Sequence, residues 1–321
     1  MTSAIPTLAA AREAETLLRR YFPPSRLASA FASQAYVKLE SDLPTGSFKP
    51  RGAIYALAAN LARRTIREVT ASSTGNHGAA VAFAARQLGV PATIFLPSHP
   101  NPVKRARIAS LGARIVEDET PDLAAACQRA IAYAANDPAV YFLNDATDPD
   151  LPAGPATIAL EVFEQLPSVD TIVVPMGDTA LIRGVAGIAK PLSPNVRVVG
   201  VQATQAPSYY LSWKDGCVIA TDTCDTIADG LATRTPEAEN VEAIRELVDE
   251  VVLVTEDEML AAIWHLASVE HVIAEPAGAA ATAALLHGKF LPGTHTVLLV
   301  TGANITPDVL QRACARQPQT P

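Results

Sequence analysis

The pattern that most limits what this chain can fold into is an alternation. Short apolar runs rich in β-branched residues recur between Ala-rich stretches of helical period along most of the sequence. Strands are expected at 36–40, 68–71, 92–96, 114–117 and 140–143, and again at 170–175, 197–201, 250–254 and 296–300. Helices are expected between them, at 51–64, 78–88, 102–111, 123–135, 156–165, 181–189, 237–247 and 277–287. In the first of these, Ile54, Leu57, Ala58 and Leu61 fall on one face. Thr255 stands three residues before Glu258, a capping box that starts a helix running to about Ser268. Strands alternating with helices at short spacing specify parallel sheets flanked by helices. The run at 170–175 is apolar almost throughout, as a strand covered on both faces should be. The first twenty residues say little, and the tail after Cys314 reads as frayed.

A chain of 321 residues holds about two domains of ordinary size. With 49% hydrophobic residues it can bury a core, which excludes a disordered segment. The net charge of -8, without a basic stripe, argues against nucleic acid as a partner. Cys127, Cys217, Cys224 and Cys314 form no CxxC pair and lie near no histidine cluster. They read as reduced thiols rather than a metal site. Met1 to Pro6 show no basic, then apolar, leader. The most apolar stretch, 277–286, is far shorter than the roughly 20 residues that span a bilayer. A cytoplasmic location is expected.

Four motifs fall at strand ends. Thr45-Gly-Ser-Phe-Lys-Pro-Arg-Gly52 delivers Lys49 from a glycine turn to a helix start. Most lysines are solvated, but Phe48 and Pro50 give this one an apolar surround that suits a Schiff-base amine. Lys49 is one of only six lysines, the others being Lys38, Lys104, Lys190, Lys214 and Lys289. Ala71-Ser-Ser-Thr-Gly-Asn-His-Gly78 puts hydroxyl, amide and backbone N–H donors at a helix amino terminus. That is more than the single residue a cap requires, and it suits an anion. His77 by itself reads better as a satisfied, partly buried histidine. Val174-Pro-Met-Gly-Asp-Thr-Ala-Leu181 joins strand, glycine loop and helix as a phosphate cradle would. Val300-Thr-Gly-Ala-Asn304 brings a hydroxyl to the end of the last strand, though by itself a Gly/Asn turn explains it better. There is neither GxGxxG nor a Walker loop. A lysine amine, an anion loop, a phosphate loop and a hydroxyl together suit pyridoxal 5'-phosphate.

At this point the chain resembles the serine/threonine dehydratase group of fold type II pyridoxal-phosphate enzymes over nearly its whole length. The segments that carry the resemblance occur in the family's order: Pro44-Thr-Gly-Ser-Phe-Lys-Pro-Arg-Gly-Ala53, Ser73-Thr-Gly-Asn-His-Gly78, Leu88-Gly-Val-Pro-Ala92, Val174-Pro-Met-Gly177, Ala228-Asp-Gly-Leu-Ala232, Glu275-Pro-Ala-Gly-Ala-Ala280 and Thr301-Gly-Ala-Asn304. The resemblance implies an α/β, two-lobed, tryptophan synthase β-like fold, each lobe a mainly parallel sheet flanked by helices. A small domain of 68–145 would be inserted in a large one of 1–67 and 146–321. A homodimer is also implied.

The same resemblance implies roles. Lys49 would hold the cofactor aldehyde and exchange protons at the substrate α-carbon, and Asn76 would meet the cofactor's 3-hydroxyl. Ser73, Thr74, Gly75, Asn76 and His77 would receive the substrate, with Thr74 also a candidate in catalysis. Gly177, Asp178, Thr179, Ala180 and Leu181 would cradle the phosphate. Gly230 and Glu275 would line the pocket, and Thr301 would face the pyridine nitrogen, where a neutral hydroxyl favours elimination over transamination. The expected activity is β-elimination from a β-hydroxy amino acid (serine, threonine or a hydroxy-substituted analogue) to a 2-oxo acid and ammonia. A racemase, a β-replacement synthase, a cofactor-binding protein with little catalysis and a pyridoxal-free binding module are the alternatives.

The sequence departs from the family in several places. The phosphate loop has Asp178 and Thr179 where the family has a run of glycines. Thr179 is expected to donate to the phosphate while Asp178 points out and Arg183 supplies compensating charge. Thr74 stands where serine racemases of the group have serine. Gln202 and Ser208 replace the carboxylates of the family's cation site, so no metal is expected. Gly154-Pro-Ala156 replaces Gly-Gln-Gly. Tyr209, Asn144 and Arg183 are candidates to finish the substrate pocket.

Overall fold

The structure, a computed structural model, describes residues 5–73, 75–100, 102–120 and 123–315. Its strands are β1 (Leu27–Ala30), β2 (Ala35–Leu39), β3 (Glu68–Ser72), β4 (Ala92–Leu96), β5 (Arg114–Glu117), β6 (Val140–Phe142), β7 (Thr171–Pro175), β8 (Arg197–Ala203), β9 (Glu250–Val254) and β10 (Thr296–Val300). Its helices are α1 (Leu8–Leu18), α2 (Pro50–Arg63), α3 (Asn76–Leu88), α4 (Pro102–Ser110), α5 (Leu123–Ala135), α6 (Ala153–Gln165), α7 (Ala180–Leu192), α8 (Ser208–Asp215), α9 (Ala238–Leu247), α10 (Glu256–Ser268), α11 (Pro276–Leu286) and α12 (Pro307–Cys314).

The strands form two sheets. One has the order β1-β2-β10-β7-β8-β9 and the other β5-β4-β3-β6. Every pairing is parallel except β1 with β2. The α/β class with parallel sheets flanked by helices is therefore as expected. The period of two along each strand sorts side chains to opposite faces. In the larger sheet Val173, Leu298 and Val300 pack with α10, α11 and α12. Their neighbours Ile172, Val174, Val297 and Leu299 pack with α6, α7 and α9 on the other face. The smaller sheet shares a core with α2 and α3, through Ile54, Leu57, Val69, Ala80 and Ile94. α11 is buried along most of its length, from Pro276 to Ala284. Its small residues are needed there, because a Cβ on Gly278 would collide with the Gly302 carbonyl.

Four elements escaped the sequence reading: α1, β1, α8 and α12. Each is short, and α1 begins in a stretch whose alternating Ala and charged residues give a weak pattern. The capping box at Thr255 is present, with both of its hydrogen bonds. The lysines differ from expectation too. Lys38, on a strand as its pattern implies, is fully buried, and Lys104 is nearly so although its helical position looks ordinary. No helix among the described residues is long and apolar enough to cross a membrane.

Candidate active site

The carboxyl ends of β3, β6, β7 and β10 open on one cavity, lined among others by Lys49, Ser73, Asn76, Asp145, Thr179 and Thr301. Ligands of open parallel sheets gather at such strand ends. The four motifs are stitched together around it. Gly46 lies at φ 68, and its carbonyl accepts from Ala303 N–H at 2.9 Å. A Cβ there would stand 2.8 Å from the Arg107 guanidinium and 2.9 Å from Asn304 Oδ1, so the turn requires glycine. Phe48 N–H donates to the Thr301 carbonyl at 3.0 Å. Asn304 Nδ2 donates to the Thr45 carbonyl at 2.9 Å and to Asn76 Oδ1 at 2.7 Å. Asn76 Nδ2 donates to Glu275 Oε1 at 2.5 Å. One line of hydrogen bonds thus joins the lysine turn, the last strand's end, the anion loop and α11.

Lys49 caps the start of α2, with Pro50 fixing the first turn. Its Nζ donates to Asp145 Oδ2 at 2.8 Å. Burial is the largest influence and opposes the ammonium, but Asp145, Asp178 and Glu275 together outweigh it, so the lysine pKa lies above its ordinary value. Asp145 is held below the usual carboxylate range: burial would raise it, and Lys49 and His77 overcome that. His77 is buried, and its Nε2 lies 2.9 Å from the Leu143 carbonyl. A carbonyl can only accept, so Nε2 carries the hydrogen and the neutral ring turns a bare Nδ1 toward Asp145, 4.0 Å away. Burial lowers the histidine pKa, which favours that neutral form. His77 is thus the satisfied histidine expected, and it also lines the cavity.

The phosphate loop differs from expectation in one respect. Asp178 does not point out. It lines the cavity, and its Oδ1 accepts from Thr233 Oγ1 at 2.9 Å. Burial and the neighbouring Asp145 push its pKa up to about 6, against the pull of Lys49 and Arg183. Thr179 adopts φ 67, a left-handed conformation that a β-branched residue rarely takes. Its Oγ1 accepts from Arg183 Nε at 3.0 Å, which leaves the hydroxyl hydrogen free. A Cβ on Gly177 would collide with the Gly230 carbonyl, so the loop and the turn at 229–231 are in backbone contact.

The anion loop is partly self-satisfied. Ser73 Oγ accepts from Gly75 N–H at 2.9 Å. Gly75 would collide through a Cβ with the Lys104 side chain, which crosses it to pair with Asp229. Thr74 lies outside the described residues. Glu275 is buried, with its pKa pushed up to about 7 by burial and by Asp229, against Lys104 and Asn76. Its Oε2 has no hydrogen-bond partner. Arg183 and Tyr209 sit behind the loop rather than in the cavity. Arg183 Nη2 donates to the Ala146 carbonyl at 3.1 Å, and Tyr209 OH accepts from Asn240 Nδ2 at 3.2 Å. Asn144 Oδ1 accepts from Ala146 N–H at 2.8 Å and so shapes the turn after β6. Asp145, its neighbour, is the charged cavity residue nearest Lys49 that sequence reading missed. An Asn-Asp pair at a strand's carboxyl end is the one signal that points to it.

A family of pyridoxal-phosphate dependent enzymes matches residues 18–302. The chain belongs to this family. It is 35% identical over 293 residues to an L-threonine ammonia-lyase of Thermotoga maritima, covering 90% of this chain and 71% of that one. It is 34% identical over 277 residues to the catabolic L-threonine dehydratase of Escherichia coli, covering 85% and 83%. Among solved structures, maize serine racemase superposes with a TM-score of 0.87 at 26% identity, covering 98% of both chains. The fold is thus the fold type II fold, and the family's cofactor is pyridoxal phosphate.

The cavity suits that group. A lysine amine, an amide at Asn76, a neutral hydroxyl at Thr301 and a loop ending at the amino terminus of α7 face one space. The Asp178 carboxyl, the one misfit beside a phosphate, is drawn toward its protonated form and tied to Thr233.

Proposed function

We propose that this protein is an ammonia-lyase that removes the β-hydroxyl from a hydroxy amino acid and releases a 2-oxo acid and ammonia. The observation that carries the reading is the placement of Lys49 Nζ in the cavity, 2.8 Å from Asp145, with Asn76, Thr301 and the 177–181 loop around the same space. The names of the Thermotoga maritima and Escherichia coli relatives support it.

Pyridoxal phosphate, when bound, supplies an electron sink for charge built at the substrate's α-carbon. Lys49 takes the α-proton, and Asp145 pairs with its ammonium when the amine is not engaged. Ser73, Asn76 and the start of α3 receive the substrate carboxylate. The 177–181 loop and the amino terminus of α7 receive the phosphate, with Arg183 bracing Thr179 from behind. Asn304 and Glu275 fix the rotamer of Asn76, so its remaining N–H has one direction to point. Thr301 offers a hydroxyl that places no charge at the ring nitrogen.

The test is oxo-acid release from a panel that includes serine and threonine in both stereoisomers. Silence across the panel in protein that holds its cofactor would overturn the reading. A small domain of 68–145 inserted in a large one belongs to the same proposal. In its support, all four strands of the smaller sheet fall within 68–142. So do a homodimer and a cytoplasmic location, on family resemblance.

A further inference from the structure

The cavity's charges do not balance. Lys49 is paired with Asp145, and Lys104 with Asp229. Asp178 and Glu275 line the same space, and Glu275 Oε2 is buried without a partner. The cofactor phosphate and the substrate carboxylate both add negative charge. Lys49, moreover, is the amine that the reaction engages. Whenever its Nζ is turned to the cofactor or the substrate, Asp145 loses its ion-pair partner. His77 does not replace it: the ring is anchored through Nε2–H on the Leu143 carbonyl and turns a bare nitrogen toward the carboxylate. A carboxylate held partly out of water without a cation is costly. Among the described residues that line the cavity, Lys49 is the one Lys or Arg, so a further cation beside Asp145 has to come with the substrate.

We propose that Asp145 reads a second positive charge on the substrate, so that the chain selects β-hydroxy amino acids whose side chain carries an ammonium or similar cationic nitrogen. The inference rests on the lyase reading and narrows it. A base that takes the α-proton works within about 3 Å of it. Asp145, one hydrogen bond beyond Lys49 Nζ, is therefore in reach of a nitrogen two or three bonds out from the α-carbon. Asp178 lines the same cavity as Asp145 and offers such a nitrogen a second acceptor, with Phe48 and Leu123 among the apolar lining.

Binding of two unreactive ligands to the holoenzyme tests this, read from the change in cofactor absorbance. 2,4-Diaminobutyrate and 2-aminobutyrate differ by one γ-ammonium, and neither has a β-hydroxyl to lose. We expect the diamino acid to bind at least about tenfold more tightly, as for a buried charge pair. In Asp145→Asn the ratio should fall to near one, while Asp145→Glu, which keeps the charge, should retain a preference. A structural role would spoil both variants alike and would count against the proposal. Equal affinities in the wild type, or a preference that survives in Asp145→Asn, would overturn it. Serine turnover is followed in parallel. Turnover without ligand preference removes this inference and leaves the lyase reading; preference without oxo acid from any hydroxy amino acid does the reverse.

Discussion

Lys38 is buried and Lys49 half-buried, and both are paired with a carboxylate, yet they do opposite work. Lys38 is sealed in a network. Its Nζ donates to the Ser25 carbonyl at 2.8 Å, to Glu161 at 2.6 Å and to Gln165 Oε1 at 2.9 Å. Arg51 joins the same network, donating to Glu40 at 2.7 Å, to Glu161 at 2.7 Å and to Thr157 Oγ1 at 2.8 Å. Two cations face two carboxylates, all four side chains nearly or fully buried. Lys49 has one acceptor, faces a cavity and sits among carboxylates in excess. Burial lowers the pKa of Lys38, while the excess of carboxylates raises that of Lys49. A satisfied network spends its hydrogen bonds on holding a shape. An unsatisfied one keeps them for a ligand. The two lie close in sequence, so the first also anchors the second: Arg51 fixes the helix on which Lys49 sits.

The largest effect should come from exchanging the two lysines' fates. Lys49→Ala should lower oxo-acid release by at least about a thousandfold, while the melting temperature of the cofactor-free protein barely moves. Lys38→Met should do the reverse. If both variants lost activity to the same degree while staying folded, the contrast drawn between them would collapse.

Breaking the pairs from the other side comes next. Arg51→Ala leaves Glu40 and Glu161 buried and short of partners, and should cost about 3–5 kcal/mol. Asp145→Asn leaves Lys49 facing a cavity that water can enter, and should cost less than about 1 kcal/mol. Urea unfolding of cofactor-free protein measures both, and similar costs for the two would show that Asp145 is structural.

Glu275 sharpens the contrast through pH. Its pKa is raised on folding from the ordinary 4.5 to about 7, chiefly by burial. The folded state therefore holds a proton that the unfolded chain has released. Below the ordinary value both states are protonated and nothing is gained or lost. Across the interval between the two values the folded state loses stability, and above it the penalty is complete, on the order of 3 kcal/mol. Glu275→Gln removes this penalty. Denaturation at pH 5 and pH 8 should show the variant gaining on the wild type as pH rises; parallel behaviour at both pH values would mean that Glu275 titrates normally. No matching slope is expected from Glu161, whose pKa is lowered by Arg51 and Lys38.

Most of the fold, and the four motifs at strand ends around the cavity, could be read in the sequence. The signals there are local: a glycine that must turn, a helix that must start, a strand that must alternate. Gly46, Gly177 and the capping box at Thr255 are of this kind. What escaped depends on the packing of distant segments. Asp145 matters because β6 lies beside β3, which brings it to His77 and Lys49. Lys104 is unremarkable in its helical pattern, and its burial follows from α4 crossing Gly75. Arg51 stood inside a recognised motif, but its partners Glu40 and Glu161 come from separate elements. Asp178 was flagged as misplaced beside a phosphate; its partner Thr233 could not be found without the turn at 229–231 packing on Gly177.

The smallest predicted effect bears on strain, which the site carries at Thr179 and the network does not. A β-branched residue in the left-handed region costs about 1–2 kcal/mol relative to glycine. Thr179→Gly relieves this but gives back part of the gain as unfolded-chain entropy. It also takes from buried Arg183 the acceptor 3.0 Å from its Nε, a loss of about 1–2 kcal/mol. These terms oppose one another, so Thr179→Gly alone should leave cofactor-free stability within about 1 kcal/mol of wild type. In an Arg183→Met background no donor is orphaned, and the same change should then stabilise by about 1 kcal/mol. A double-mutant cycle measures the difference, and equal effects in the two backgrounds would mean that Arg183 does not brace the loop. A positive cycle would mean that the threonine is kept in a strained conformation by a buried guanidinium, where the family's usual glycines would need no such restraint.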